Sequence, residues 1–98
     1  MIQSKDITIA ADHPAYAGHF PNFPVLPGAV LLDEVLSAIA GERGGDLNVW
    51  QIASAKFLGT VRPGDALRVE FEAQAAGAIS FSVLAAGRKV VSGVLNER

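Results

Sequence analysis

The stretch Gly18-His19-Phe20-Pro21-Asn22-Phe23-Pro24-Val25-Leu26-Pro27-Gly28 decides the fold of this chain, because it leads directly into a long apolar run. Its prolines fix φ at about −65° and push each preceding residue into an extended conformation, so the segment is a stiff, non-helical lead-in. The apolar run from Gly28 to about Glu42 predicts a helix. The loop therefore delivers His19 close to the N-terminus of a helix that carries Asp33 in its second turn. A histidine, a helix N-terminus and a carboxylate are the parts of a general acid–base site with an oxyanion donor.

The predicted helix is apolar over most of its circumference. Apolar residues occupy positions 29–32, 35, 36, 39 and 40, which predicts a helix buried on nearly all sides. The polar exceptions Asp33, Glu34 and Ser37 share one narrow face. Composition alone does not choose between Asp33 and Glu34 as the functional carboxylate, because the two side chains point about 100° apart on a helix.

The rest of the chain is predicted to form strands and turns. Residues 7–11 alternate and are β-branched, so they predict a first strand before the helix. Turns are predicted at Val61–Asp65, with a positive φ at Gly64, and again near Gly77. Later strands are predicted at 47–58, 67–72, 79–85 and 90–95. This order predicts an α+β fold in a single domain, residues 1–98, with an antiparallel β-sheet packed on one central α-helix.

Composition and charge argue against several classes of protein. The chain has 98 residues, a hydrophobic share of 50%, a net charge of −2, two histidines and no cysteine. The absence of cysteine excludes a disulfide framework and a thiolate nucleophile, and two histidines leave little material for a metal centre. The net charge argues against nucleic-acid binding. No apolar run approaches the roughly 18 residues needed to cross a bilayer, and the N-terminus lacks a signal-peptide pattern. We therefore expect a cytoplasmic protein, and the high apolar share of so small a domain predicts a buried oligomer interface.

The pattern His-Phe-Pro-x-x-Pro-x-x-Pro-Gly at residues 19–28, followed by an apolar helix, resembles the FabZ/FabA family of 3-hydroxyacyl-[acyl carrier protein] dehydratases. That family has the hot-dog fold, in which a long sheet wraps a central helix. Its catalytic carboxylate lies fourteen residues beyond the histidine, which is Asp33 in this chain. The segments 55–57 and 62–65 also resemble the family's strand–turn–strand region. Short dehydratases of secondary lipid pathways, such as those that make aryl polyenes, look closer than the housekeeping enzymes.

The resemblance implies a reaction and a set of roles. The reaction is dehydration of 3-hydroxyacyl thioesters, linked to acyl carrier protein or CoA, to trans-2-enoyl thioesters without a metal or organic cofactor. His19 would be the general base that takes the α-proton, and Asp33 the general acid that protonates the departing hydroxyl. The backbone N–H of Gly28 would stabilise the enolate oxygen. The residues expected to line an acyl tunnel are Phe20, Phe23, Val25 and Leu26.

The resemblance also implies an assembly. In the family the histidine of one subunit faces the carboxylate of the other, so we expect a homodimer, or a higher assembly of dimers, with its sites at the interface. A two-fold dimer would hold two equivalent sites.

Two departures from the family pattern keep alternatives open. Ser37 stands where these dehydratases usually carry a glutamine that assists the carboxylate, so a catalytically inactive partner subunit of a heterodimer is one alternative. Residues 57–61 lack the basic residues often found there, which weakens the case for a typical carrier-protein docking surface. A hot-dog thioesterase is a further alternative, because one fold can host several activities. Isomerisation to a cis-3 product would also fit an aspartate at position 33. Without the motif, His19 would be interpreted as a loop histidine that holds a proline-rich turn; with the motif, catalysis is favoured. The four tunnel residues fit plain core equally well.

Overall fold

The computed structural model describes residues 2–9, 28–43, 49–62 and 64–97. Its elements in chain order are β1 (Gln3–Thr8), α1 (Gly28–Glu42), β2 (Trp50–Phe57), β3 (Ala66–Ala73), β4 (Ile79–Ala85) and β5 (Arg88–Glu97). A single 3-10 turn at Ala75–Gly77 joins β3 to β4. Within the described ranges, the predicted order of one strand, one helix and four strands is confirmed.

The first strand begins earlier than predicted. The sequence predicted residues 7–11, whereas β1 runs from Gln3 to Thr8. β1 pairs with β3 along its whole length, from Gln3 opposite Phe71 to Thr8 opposite Ala66. The prediction missed its first half because an edge strand buries little, so its sequence there is polar and lacks the hydrophobic alternation that marks a strand.

The sheet is antiparallel, with the strand order β1-β3-β4-β5-β2. β3, β4 and β5 follow one another as neighbours, whereas β1 and β2 occupy the two edges. A two-residue turn joins β4 to β5, with φ of 51° at Ala86 and 80° at Gly87. Two positive φ values are what a tight hairpin needs for its turn to match the twist of the strands. The positive φ predicted at Gly64 is confirmed at 79°.

The helix α1 lies on the inner face of the sheet. The inward residues of β3 and β4, such as Leu67, Val69 and Val83, are buried in the same core as Leu31 and Ile39 of the helix. The buried residues of α1 are Leu31, Val35, Ala38, Ile39 and Ala40. Ten of its fifteen residues are buried or half-buried, which agrees with the prediction of a helix buried on nearly all sides, and a narrow stripe of the helix is left uncovered. The uncovered stripe includes Ala29, Asp33 and Ser37.

A close approach between strands fixes the position of β2. β2 pairs with β5, and the register shifts between Ile52 and Ser54. A Cβ on Gly93 of β5 would collide with the carbonyl oxygen of Ser54 and lie 2.8 Å from Cζ of Phe81. Only glycine therefore fits at this point, just beyond the register shift, where the backbone of β2 lies close to Gly93 and the Phe81 ring lies against the strand. In the described part of the chain, no helix is long and apolar enough to span a bilayer.

Candidate active site

The helix α1 begins at Gly28, as the proline-to-glycine transition predicted. The first four N–H groups of a helix have no partner within it, and the helix dipole gives this end partial positive charge. Such an end stabilises a developing negative charge. The sequence analysis predicts this role for the backbone N–H of Gly28.

The Phe57 side chain packs directly on the start of α1. A Cβ built on Gly28 would lie 2.8 Å from Cζ and 2.9 Å from Cε1 of the Phe57 ring. The ring therefore occupies the space that a side chain at position 28 would need. Phe57 is nevertheless 50% exposed, so much of the ring surface remains open beside the helix start.

The candidate carboxylates of α1 lie on different parts of the helix surface. Asp33 is exposed on the side away from the sheet, whereas Glu34 is half-buried. Ser37 is also exposed and lies one turn beyond Asp33, on the same face. Asp33 thus projects from the exposed stripe of the helix.

Most of the predicted site residues lie outside the described ranges. These are His19, Phe20, Phe23, Val25 and Leu26. Their predicted roles therefore stay predictions. Gly28 and Asp33 are the two predicted site residues whose positions the structure describes.

Sequence reasoning missed the contact between Phe57 and Gly28. The residues are separated by most of α1, the segment after it and β2, so local patterning does not bring them together. The available signals were a glycine at a helix start and an aromatic residue at the end of an alternating strand. Neither signal shows that the two residues are in contact, because that depends on the order of the strands in the sheet.

Basic residues gather at the end of the sheet where α1 begins. β2 ends and β5 begins here, as the pairing of Phe57 with Val91 requires. A Cβ on Gly59 would lie 3.2 Å from Nη1 of Arg88, so the guanidinium lies beside the segment that follows β2. Exposed cations at this end are Lys56, Arg62, Arg88 and Lys89. Residues 57–61 carry no basic side chain, but the start of β5 supplies cations to the same region.

Across the described ranges, no group of three or more His, Cys, Asp or Glu side chains is placed to hold a metal ion.

Comparison with known proteins gives a consistent set of matches. The family model for ApeI-like proteins, described as ApeI dehydratase, matches residues 3–94. The 3-hydroxyacyl-[acyl-carrier-protein] dehydratase FabZ of Ruminiclostridium cellulolyticum is 39% identical over 72 residues, which cover 65% of this chain and 50% of the relative. FabZ of Geotalea uraniireducens is 38% identical over 101 residues, covering 93% of this chain and 66% of the relative. The chain thus spans about half the length of the first relative and about two thirds of the second.

A solved structure supports the fold. The dehydratase heterocomplex ApeI:P from Xenorhabdus doucetiae superposes with a TM-score of 0.76 at 19% sequence identity, covering 98% of this chain and 86% of that one. The predicted hot-dog fold, an antiparallel sheet with one central helix, is confirmed by this likeness and by the described strand order.

Proposed function

Because the chain belongs to the ApeI-like dehydratase family, we propose that it removes water from 3-hydroxyacyl thioesters to give trans-2-enoyl thioesters. In this reaction His19 takes a proton from C2, and the electrons of that C–H bond form the C2=C3 double bond as the C3–O bond breaks. Asp33 protonates the departing hydroxyl, which leaves as water. The backbone N–H of Gly28 stabilises the negative charge that develops on the thioester oxygen. The elimination is redox-neutral and balances without a further reactant.

The observation that carries this proposal is the family match over residues 3–94, joined to the start of α1 at Gly28. Asp33 lies five residues into the helix from Gly28, which is about 7.5 Å along the axis. A carbonyl oxygen bound at the first turn and a hydroxyl two carbons away therefore lie within reach of the same stretch of helix. Of the two candidate carboxylates, Asp33 has the exposed position that leaves it open to a substrate.

A second copy of the chain is proposed to enclose the site. Five large apolar residues are exposed in the described ranges, and four of them lie on or beside the edge strand β2: Val49, Ile52, Phe57 and Leu58. An exposed apolar edge strand invites pairing with another chain. A partner on this edge would also approach the start of α1, since Phe57 packs on Gly28 and the next residue, Ala29, is exposed. This supports a homodimer in which His19 of one subunit meets Asp33 of the other.

The acyl group is proposed to arrive on acyl carrier protein or on CoA. Both carriers bring negative charge, from acidic side chains or from phosphates. The exposed cations around the start of β5, Arg88 among them, give that end of the sheet a complementary charge. The same end carries the start of α1, so a carrier bound there has a short path to the site.

A second candidate is a catalytically inactive subunit that completes the site of a related chain. Ser37 lies one turn beyond Asp33 on the exposed face, where a dehydratase of this family usually carries an assisting glutamine. The Xenorhabdus doucetiae structure is described as a heterocomplex, which favours testing this candidate.

The chemical proposal is tested by hydration of a trans-2-butenoyl thioester, followed as the loss of enoyl absorbance, because dehydration is reversible. His19→Ala and Asp33→Asn should each lower kcat/KM by at least about 10²-fold, as loss of a general acid or base does. Glu34→Gln removes the neighbouring carboxylate and is the matched control, with activity near that of the wild type. Activity that survives Asp33→Asn but not Glu34→Gln moves the role to Glu34. A wild-type chain that is silent on both CoA and carrier-protein substrates, but active when mixed with a related chain, favours the inactive-subunit candidate.

The assembly is tested by mixing two inactive variants. If His19 and Asp33 act across the interface, a random mixture of His19→Ala and Asp33→Asn subunits contains about half heterodimers, each with one intact site of two. The mixture should therefore recover about a quarter of the wild-type activity. No recovery, with subunit exchange verified, means that both residues of a site come from one chain.

A further inference from the structure

Phe57 is an apolar side chain whose surroundings differ from those of an ordinary core residue. Its register opposite Val91 turns it to the inner face of the sheet, the face on which α1 lies. Its ring packs on Gly28, with Cζ and Cε1 at 2.8 and 2.9 Å from the position of a Cβ. The inward partner Val91 is fully buried, whereas Phe57 is 50% exposed. One part of the ring therefore supports the helix start, and the other part faces open space next to it.

That open space adjoins the first turn of α1, whose N–H groups have no acceptor within the helix itself. A few hydrogen-bond donors beside an aromatic surface form the combination found in small-molecule pockets. An oxygen bound to the N–H of Gly28 lies about 2.9 Å from the nitrogen, which is itself bonded to the α-carbon on which the ring packs. The first carbons of a bound acyl group are then close neighbours of the Phe57 ring.

We propose that Phe57 is a specificity-determining residue that forms the wall of the acyl pocket beside the thioester and excludes acyl groups with a branch at C2. The inference rests on the proposed function, because Gly28 must hold the thioester oxygen. An unbranched chain passes the ring edge, whereas a methyl group on C2 projects into it. In a hydrophobic pocket, one added or missing methylene changes kcat/KM by roughly 10- to 200-fold.

The test compares kcat/KM for hydration of trans-2-butenoyl and trans-2-methyl-2-butenoyl thioesters. The ratio of the two values is measured for the wild type and for Phe57→Ala. Comparing ratios between proteins cancels the lower intrinsic reactivity of the branched substrate. Phe57→Ala should shift the ratio toward the branched substrate by at least about tenfold. A merely structural role would lower both values together and leave the ratio unchanged.

Leu58→Ala is the matched control. Leu58 is the next residue and is 48% exposed, so the control also loses apolar surface from the same edge and reports any weakening of assembly. The three atoms closest to a Cβ on Gly28 all belong to Phe57, so Leu58→Ala should keep the wild-type ratio. If Phe57→Ala does not fold, Phe57→Leu keeps an apolar side chain and should shift the ratio in the same direction by a smaller factor.

The outcomes separate this inference from the proposed function. An active wild type whose ratio does not change in the Phe57 variants, or changes equally in Leu58→Ala, overturns the role of Phe57 alone. A wild type that hydrates neither substrate overturns the proposed function, and the inferred role of Phe57 is overturned together with it.

Discussion

Gly93→Ala is expected to destabilise the fold strongly, although it adds only one methyl group. The new Cβ would lie 2.8 Å from Cζ and 3.0 Å from Cε1 of Phe81, and would also collide with the carbonyl oxygen of Ser54. Ordinary carbon–carbon contacts lie at about 3.5–4.0 Å, so the overlap is on the order of 1 Å. A ring can shift, but the Ser54 oxygen belongs to the backbone of β2. The substitution therefore forces β2 away from β5.

The cost follows from two contributions. Overpacking a well-packed site costs about 1–3 kcal/mol. Displacing β2 weakens the ladder hydrogen bonds on either side of the contact, each contributing about 1 kcal/mol. We expect a loss of about 3–5 kcal/mol from a total stability on the order of 5–15 kcal/mol. For a domain of this size, 3 kcal/mol lowers Tm by at least about 12 °C.

The assay is thermal unfolding followed by circular dichroism at a fixed protein concentration, because the proposed dimer would make Tm depend on concentration. Gly87→Ala is the control, since nothing lies within 4 Å of its Cβ position and only its φ of +80° opposes the change. That backbone strain costs about 1–2 kcal/mol, clearly less than the collision at Gly93. A Gly93→Ala protein whose Tm falls no further than that of Gly87→Ala would refute the close approach of β2 and β5.

Three further substitutions test the packing of the fold. Gly41→Ala should raise the free energy of unfolding, measured by chemical denaturation, by about 0.5–1 kcal/mol, because alanine is the better helix former. The new Cβ would lie 3.7 Å from Nζ of Lys5, which is an ordinary contact. A loss of stability would contradict that geometry. Lys5→Met should change stability by less than about 1 kcal/mol, because the 3.4 Å ion pair with Glu42 is partly exposed; a larger loss would show that the pair is more than a surface contact. Phe71→Ala should cost about 3–5 kcal/mol by the same measurement, because its side chain is fully buried; a loss below about 1 kcal/mol would place Phe71 outside the core.

The sequence was most informative where local chemistry and burial agree. The proline-to-glycine transition placed the start of α1 at Gly28, and the bounds of the helix match the prediction. β4 also matches, because its buried residues alternate strictly with half-buried ones from Ile79 to Ala85. In both elements each residue's local preference and its tertiary environment favour the same structure.

The strand order and the close contacts could not be predicted in the same way. β2 follows α1 in the chain but pairs with β5, the last strand, so its edge position depends on long-range closure. A glycine in the middle of a strand weakens it, and only the close approach of the Ser54 carbonyl oxygen and the Phe81 ring explains why Gly93 stands there. The candidate site shows the same limit: the position of Asp33 followed from helix periodicity, whereas the packing of Phe57 on Gly28 required the assembled sheet.

The exposed apolar surface of one chain sets a lower limit on the size of the interface in the proposed dimer. Fully burying an apolar side chain of this size contributes about 1.5–3 kcal/mol. The exposed residues at the β2 edge, such as Ile52 and Leu58, are already about half buried, so covering all four contributes on the order of 3–6 kcal/mol. Association itself costs about 4–15 kcal/mol, so these side chains alone do not hold two chains together. The interface must therefore include more of the molecule, and the adjoining uncovered face of α1 offers half-buried Leu32 and Leu36 beside Asp33. In the proposed dimer, a partner that covers Leu32 and Leu36 as well would also cover Asp33, so stable assembly and enclosure of the candidate carboxylate would depend on the same surface.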